Sequence, residues 1–213
     1  MTSKKELRNL MANILSKVSK EDRNKQSKRV VEKLIAHPRY KQSKSISIYL
    51  STDNELDTSS LLRQALEKDK KQCYVPYIPG LKAQALGQSD CCRMQMIQLE
   101  SMREYDQMPE NRYGIKEPTE TMASEKKRIS LEEGNLLDLI IVPGVCFSLD
   151  GRRLGHGKGY YDEFLHHYHS NKLPSNKRPY TIGAALKQQI ITDPLAVEDH
   201  DFKLDEILFD DSD

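Results

Sequence analysis

The chain lacks the features that would place it in several large classes. None of its 213 residues fall in an apolar run near the roughly 20 that a membrane-spanning helix needs, which excludes a helical span. Cysteine is scarce. Cys73, Cys91, Cys92 and Cys146 show no paired metal spacing; Cys91 and Cys92 are adjacent and the other two sit in strand-like runs, so they read as reduced thiols in a reducing compartment rather than a disulfide framework. Net charge is only +1, and a pI of about 7.7 gives no electrostatic footprint for a dedicated nucleic-acid binder. No internal repeat, low-complexity tract or convincing Ser/His/Asp or Cys/His set is present. The length suits one α/β domain over residues 1–213.

Glycine is sparse too, ten in all, yet five fall between residues 144 and 159. The run that matters is Gly151-Arg-Arg-Leu-Gly155-His-Gly157-Lys-Gly159-Tyr-Tyr-Asp162. It follows the apolar Leu139-Ile-Ile-Val142 and precedes a segment with helical character. A strand, a glycine-rich basic loop and a helix start make a phosphate site, because glycines let backbone N–H groups approach an anion and the helix N-terminus is positive. Lys158 is followed by Gly159 rather than Ser or Thr, so this is not a Walker A loop. Gly155, Gly157 and Gly159 also miss the G-x-G-x-x-G dinucleotide spacing. A ligand-free surface turn is the bland alternative. Arg152, Arg153, His156 and Lys158 among the glycines favour an anion.

Elsewhere the pattern alternates strands and helices. Helices are expected over 3–18, from Ser19 or Lys20 to about residue 37, from Asp57 or Thr58 onward, and over 160–169. Strands are expected at 46–50, 73–76, 94–99, 138–142, 180–186 and 206–209. Residues 78–92 read as an irregular excursion, and the polar, turn-rich 104–131 as an active-site wall. This alternation predicts a three-layer α/β/α fold around a mostly parallel, Rossmann-like sheet.

Charge is uneven. Residues 1–44 carry 13 Lys/Arg against 4 Asp/Glu, and nine acidic residues against one Lys lie from Asp193 onward. Lys4 and Arg8 share one helical face. Asp162 reads equally as a magnesium ligand or as an acid stabilising a helix N-terminus. His166, His167 and His169 lack the i, i+4 spacing of a helical metal pair and read as a solvated helix end.

The stretches Leu136-Leu-Asp-Leu-Ile-Ile-Val-Pro-Gly-Val-Cys-Phe147 and Arg153-Leu-Gly-His-Gly-Lys-Gly-Tyr-Tyr-Asp-Glu-Phe-Leu165 closely resemble the signature of 5-formyltetrahydrofolate cyclo-ligases. Lys4 to Arg8, the strand and loop from Ile46 to Glu55, the turn Tyr113-Gly-Ile-Lys-Glu-Pro118, and the segments around Ala184–Ile190 and His200–Asp205 match in the same order. The resemblance implies ATP- and Mg²⁺-dependent conversion of 5-formyltetrahydrofolate to 5,10-methenyltetrahydrofolate with release of ADP and phosphate. It implies ATP contacts from Lys4, Arg8, Arg153, Leu154, Gly155, His156, Gly157, Lys158, Gly159, Tyr160 and Tyr161. Folate contacts come from Leu50, Glu55, His156 and Tyr160, catalysis from Lys158 and Tyr160, and magnesium ligation from Asp162 and Asp201. Tyr160 is expected to line the formyl group and Tyr161 to pack.

His156 stands where many relatives have Arg or Tyr, so a permanent charge gives way to a titratable one. Ser148 replaces an Asp frequent in the family. Partners are expected to be small molecules only, with polyglutamylated folate drawn by the basic N-terminal excess, no nucleic acid and no membrane. A cytoplasmic monomer is expected. The amphipathic N-terminus reads as part of the folded enzyme, with mitochondrial import without cleavage left open. Two other readings stay open: a folate-storing protein without turnover, and a sugar-phosphate isomerase-like enzyme.

Overall fold

The computed structural model describes residues 3–79, 94–111, 114–129, 137–170, 178–192, 195, 198 and 201–212. Three helices come first: α1 (Lys4–Leu15), α2 (Lys20–Ala36) and the short α3 (Pro38–Gln42). Ser3 opens α1 with a capping box, its hydroxyl accepting from Glu6 N while Glu6 accepts from Ser3 N. Ser19 caps α2, its hydroxyl accepting from Asp22 N at 3.1 Å. Pro38 cannot continue α2 and instead starts α3.

The chain then runs through β1 (Ser45–Ser47), α4 (Ser59–Arg63, prolonged by a π turn over Gln64–Lys68), β2 (Gln72–Tyr77) and β3 (Gln95–Leu99). Two short helices follow, α5 (Met102–Gln107) and α6 (Glu120–Glu125). Next are β4 (Leu139–Val142), the hairpin β5 (Cys146–Ser148) and β6 (Arg153–Leu154), and α7 (Tyr160–Ser170). The last elements are β7 (Tyr180–Ala185), β8 (Ile190–Ile191) and β9 (Glu206–Phe209).

The main sheet has the order β3-β2-β1-β4-β7-β9, parallel throughout except for the edge strand β3. β4 is buried on both faces, as its unbroken Leu-Ile-Ile-Val run requires in a covered parallel sheet. Its residues alternate between two layers. Leu139 and Ile141 join Val30, Val31 and Leu34 of α2 and Leu61 and Leu62 of α4. Ile140 and Val142 join Phe164, Leu165 and Tyr168 of α7. This is the expected α/β architecture. The strand order reverses between β1 and β4, and in such sheets ligands collect beyond the strand C-termini at that reversal.

A second sheet, β6-β5-β8, was not expected. Its strands are two or three residues long, too short to show a period. α1 closes over it, with Met11 against Val145, Cys146, Leu154 and Leu195. The hairpin turn explains Ser148, whose hydroxyl donates to Asp150 Oδ1 and whose carbonyl accepts from Gly151 N at 3.0 Å. Gly151 has φ +92°, and a Cβ there would meet Leu204 O at 2.3 Å.

Expected boundaries shift by a few residues. α1 stops at Leu15, and β1 leaves its ladder after Ser47, although Ile48 N still donates to Tyr74 O at 2.9 Å. Residues 80–93, Tyr113, Leu136 and His200 lie outside the described residues, as do Cys91 and Cys92. Among the described residues no helix is long and apolar enough to cross a membrane.

Part of the charge asymmetry is neutralised within the molecule. Arg29 of α2 pairs with Asp210 at 3.1 Å, Lys33 bonds Asp211 and Phe209 O, and Lys4 of α1 pairs with Asp201 at 2.8 Å.

Candidate active site

Beyond β1 the chain turns sharply. Thr58 Oγ donates to Tyr49 O at 2.6 Å and Tyr49 Oη donates to Leu56 O at 3.1 Å. These bonds hold the 50–57 loop so that Glu55 is buried, its Oε2 accepting from Thr52 N at 2.9 Å. Oε1 faces His156, with 3.2 Å to Nε2. His156 is the exposed member, its side chain 63% accessible. Its hydrogen bond to Glu55 raises the imidazole pKa, against opposing burial and the nearby Arg8 and Arg153.

The glycine loop links β6 to the first turn of α7. Arg8 Nε of α1 donates to Gly155 O at 2.8 Å. Gly157 has φ +90°, and a Cβ on it would lie 3.2 Å from Arg8 Cζ, so glycine is required both for backbone and for space. Lys158 is exposed at the loop tip. The loop ends at the positive N-terminus of α7, the arrangement expected of an anion cradle.

Beneath the loop, Arg153 belongs to a strand rather than to the basic turn. Its side chain is 3% exposed, and Nη2 lies 2.8 Å from Asp162 Oδ1. Burial lowers the guanidinium pKa, and Asp162 opposes that shift. Its guanidinium carbon lies 5.7 Å from the Tyr161 ring centroid. The Tyr161 hydroxyl is buried with no hydrogen-bond partner among the described residues, and burial followed by the charge of Glu55 pushes its pKa up. Lys4 meets Asp201 at 2.8 Å and Glu198 at 3.0 Å. Burial alone would lower the Lys4 pKa, but these two carboxylates raise it.

All the expected site residues, Leu50 and Tyr160 included, line one cavity of about 610 Å³. It lies at the strand C-termini, with Glu55 beyond β1 and Pro143 beyond β4. Ile78, Met94, Asn111, Ile115 and Lys116 also line it. The expected wall at 104–131 does supply lining, Ile115 and Lys116 coming from the turn that resembles the family's and Asn111 carrying no pattern of its own. Asp162 and Asp201 are hard oxygen donors in this cavity, and each also holds a cation. Among the described residues no three His, Cys, Asp or Glu side chains group to hold a metal by themselves. The pair therefore fits Mg²⁺ in the company of a ligand's phosphate oxygens. Cys73 and Cys146 are buried free thiols pushed up to about 12 by burial, which removes them as nucleophiles at neutral pH.

A 5-formyltetrahydrofolate cyclo-ligase family model matches residues 1–210. The chain belongs to this family. It is 36% identical over 211 residues to the mouse 5-formyltetrahydrofolate cyclo-ligase, covering 99% of this chain and 95% of that protein. It is 36% identical over 207 residues to a probable 5-formyltetrahydrofolate cyclo-ligase of Caenorhabditis elegans, covering 97% and 92%. The solved Aquifex aeolicus 5,10-methenyltetrahydrofolate synthetase superposes with a TM-score of 0.70 at 27% identity, over 96% of this chain and 88% of that one. Cyclo-ligases are ligases, so the chain belongs to a family of enzymes.

Proposed function

We propose that this protein converts 5-formyltetrahydrofolate to 5,10-methenyltetrahydrofolate at the expense of ATP, with Mg²⁺ as the metal. One observation carries the reading: the buried carboxylate of Glu55 and the Gly155–Gly159 loop open into one cavity of about 610 Å³. Glu55 accepts from the N–H edge of the pterin, and Leu50 packs on its ring. The loop amides, the α7 N-terminus, Lys158 and Arg8 receive the triphosphate.

A formyl amide is a poor electrophile, and its oxygen is a poor leaving group. The formyl oxygen takes the γ-phosphoryl group and ADP departs, giving an imidate-like phosphate. N10 then attacks the formyl carbon and loses its proton. The ring closes as the C–O bond breaks and phosphate leaves with the former formyl oxygen. Such transfer needs positioning and charge neutralisation rather than a protein nucleophile. Lys158, at the loop tip, neutralises developing phosphate charge. Tyr160 lines the formyl end. Asp162 and Asp201 would hold Mg²⁺, which supplies further neutralisation of phosphate charge when bound. Arg153 and Lys4 keep these two carboxylates in position.

The reading includes a polyglutamylated substrate and a cytoplasmic, reducing setting. Arg29, Lys33 and Lys4 are engaged by carboxylates of this same chain, so only the remaining cations of residues 1–44 would serve the polyglutamate tail. The test is to mix protein, 5-formyltetrahydrofolate and Mg-ATP and follow the near-ultraviolet absorbance of the methenyl product. A rise that depends on both ATP and Mg²⁺, absent in EDTA, is expected. Tight folate binding without any rise would instead indicate storage.

A further inference from the structure

The contact between His156 and Glu55 crosses the cavity and joins its two functional ends. Glu55 stands on the loop after β1, held at Oε2 by Thr52 N, and is too buried to leave. His156 stands on the glycine loop, whose backbone is pinned at Gly155 O by Arg8, while its ring remains largely in solvent. The Glu55 oxygen facing the ring is Oε1, an acceptor lone pair that a ligand's N–H edge would need.

We infer that His156 is an internal competitor for Glu55: the imidazole occupies the acceptor that recognises the pterin, the incoming folate must displace it, and a proton on His156 strengthens that competition. The inference rests on the cyclo-ligase reading for the identity of the displacing ligand.

The asymmetry of burial decides which partner moves. Swinging a ring that is already 63% accessible into water costs little desolvation, whereas freeing Glu55 would strip a buried carboxylate of its partners. The strength of the bar depends on protonation, because an imidazolium adds the attraction of opposite charges to the hydrogen bond that a neutral ring already makes with the carboxylate. The charged groups facing the ring are Glu55 from the loop after β1, which favours the proton, and Arg8 of α1 and Arg153 of β6, which oppose it. When folate displaces the ring, the two opposing cations are what remains near it among the described residues. The free protein therefore holds the proton more tightly than the complex does, and binding releases it. Affinity must then rise with pH through the imidazole range and level off above it.

The test measures the dissociation constant of 5-formyltetrahydrofolate by calorimetry, without ATP, at pH 6 and pH 8. The ligand's carboxylates stay ionised across that window. Binding roughly three- to tenfold tighter at pH 8, the range a pKa change of up to about one unit produces, is expected. Proton release at pH 6, read from buffers of different ionisation enthalpy, should accompany it. His156→Gln keeps a donor that cannot charge, so it should bind at pH 6 at least as tightly as the wild type, with no pH dependence and no proton release. His156→Arg should give flat affinity as well, because its charge is permanent. Wild-type affinity that is flat or falls with pH, or pH dependence that survives in His156→Gln, would overturn the inference while leaving turnover at pH 8 intact. Absence of both binding and ATP-dependent turnover at pH 8 would overturn the cyclo-ligase reading itself, and this inference with it.

Discussion

Arg153 and Asp162 form an ion pair of 2.8 Å beneath the glycine loop, with the guanidinium side chain 3% exposed and the carboxylate 19% exposed. The two partners are therefore not equivalent. Removing the acid strands a cation in the protein interior, while removing the cation leaves an acid that water can still reach. Asp162→Asn should destabilise the protein by about 3 kcal/mol, and Arg153→Met by less. Urea unfolding of both variants checks the order, and the reverse order would remove the argument from burial.

Lys158 has no such structural duty. It is exposed at the loop tip, so Lys158→Ala should change stability by no more than about 0.5 kcal/mol. Turnover should nonetheless be lost, with folate binding by calorimetry kept near the wild-type value. A variant with normal kcat would show that the phosphate role is misassigned.

Gly157 couples the loop to α1. A methyl group there meets Arg8 at 3.2 Å on a backbone with φ +90°. Gly157→Ala should shift the loop and lower kcat/KM for ATP by about a hundredfold, the effect of misplacing a positioning group by about 1 Å. Folate affinity should change much less. Steady-state kinetics with each substrate varied in turn would separate the two effects.

Asp210 ties the end of the chain to α2 through Arg29. Burial opposes ionisation, but hydrogen bonds from Ser212 and Arg29 outweigh it and hold the carboxyl below its usual pKa. The sign follows directly. A depressed folded pKa adds stability above the unfolded value of about 3.9, and that stability is lost as pH falls through the lower folded value. Asp210→Asn should therefore cost measurable stability at pH 6 and progressively less as pH falls below about 3.9. Denaturant midpoints at several pH values test it. A cost that does not shrink in acid would exclude the charge as its source.

Much of this was legible in the residues. The capping serines Ser3 and Ser19 announce α1 and α2, and the unbroken Leu139–Val142 run announces a buried strand, because caps and periodicity act within a few positions. The β5–β6 hairpin escaped notice, since its three- and two-residue strands are stabilised by α1 packing over them. Arg153 shows the same limit. In the sequence it reads as one cation in a basic loop, and only its position on β6 turns it inward to Asp162.

By itself the sequence determined the family, the alternating elements and the glycine loop, all of which rest on local chemistry and ordered motifs. The tertiary structure alone decided which groups meet. Lys4 reaches Asp201 across 197 positions, and His156 reaches Glu55 across 101. The second meeting is favoured by the reversal of strand order between β1 and β4, which gathers loops at one end of the sheet. No spacing along the chain encodes such a contact, because its free energy arises only after the sheet has formed and has buried Glu55.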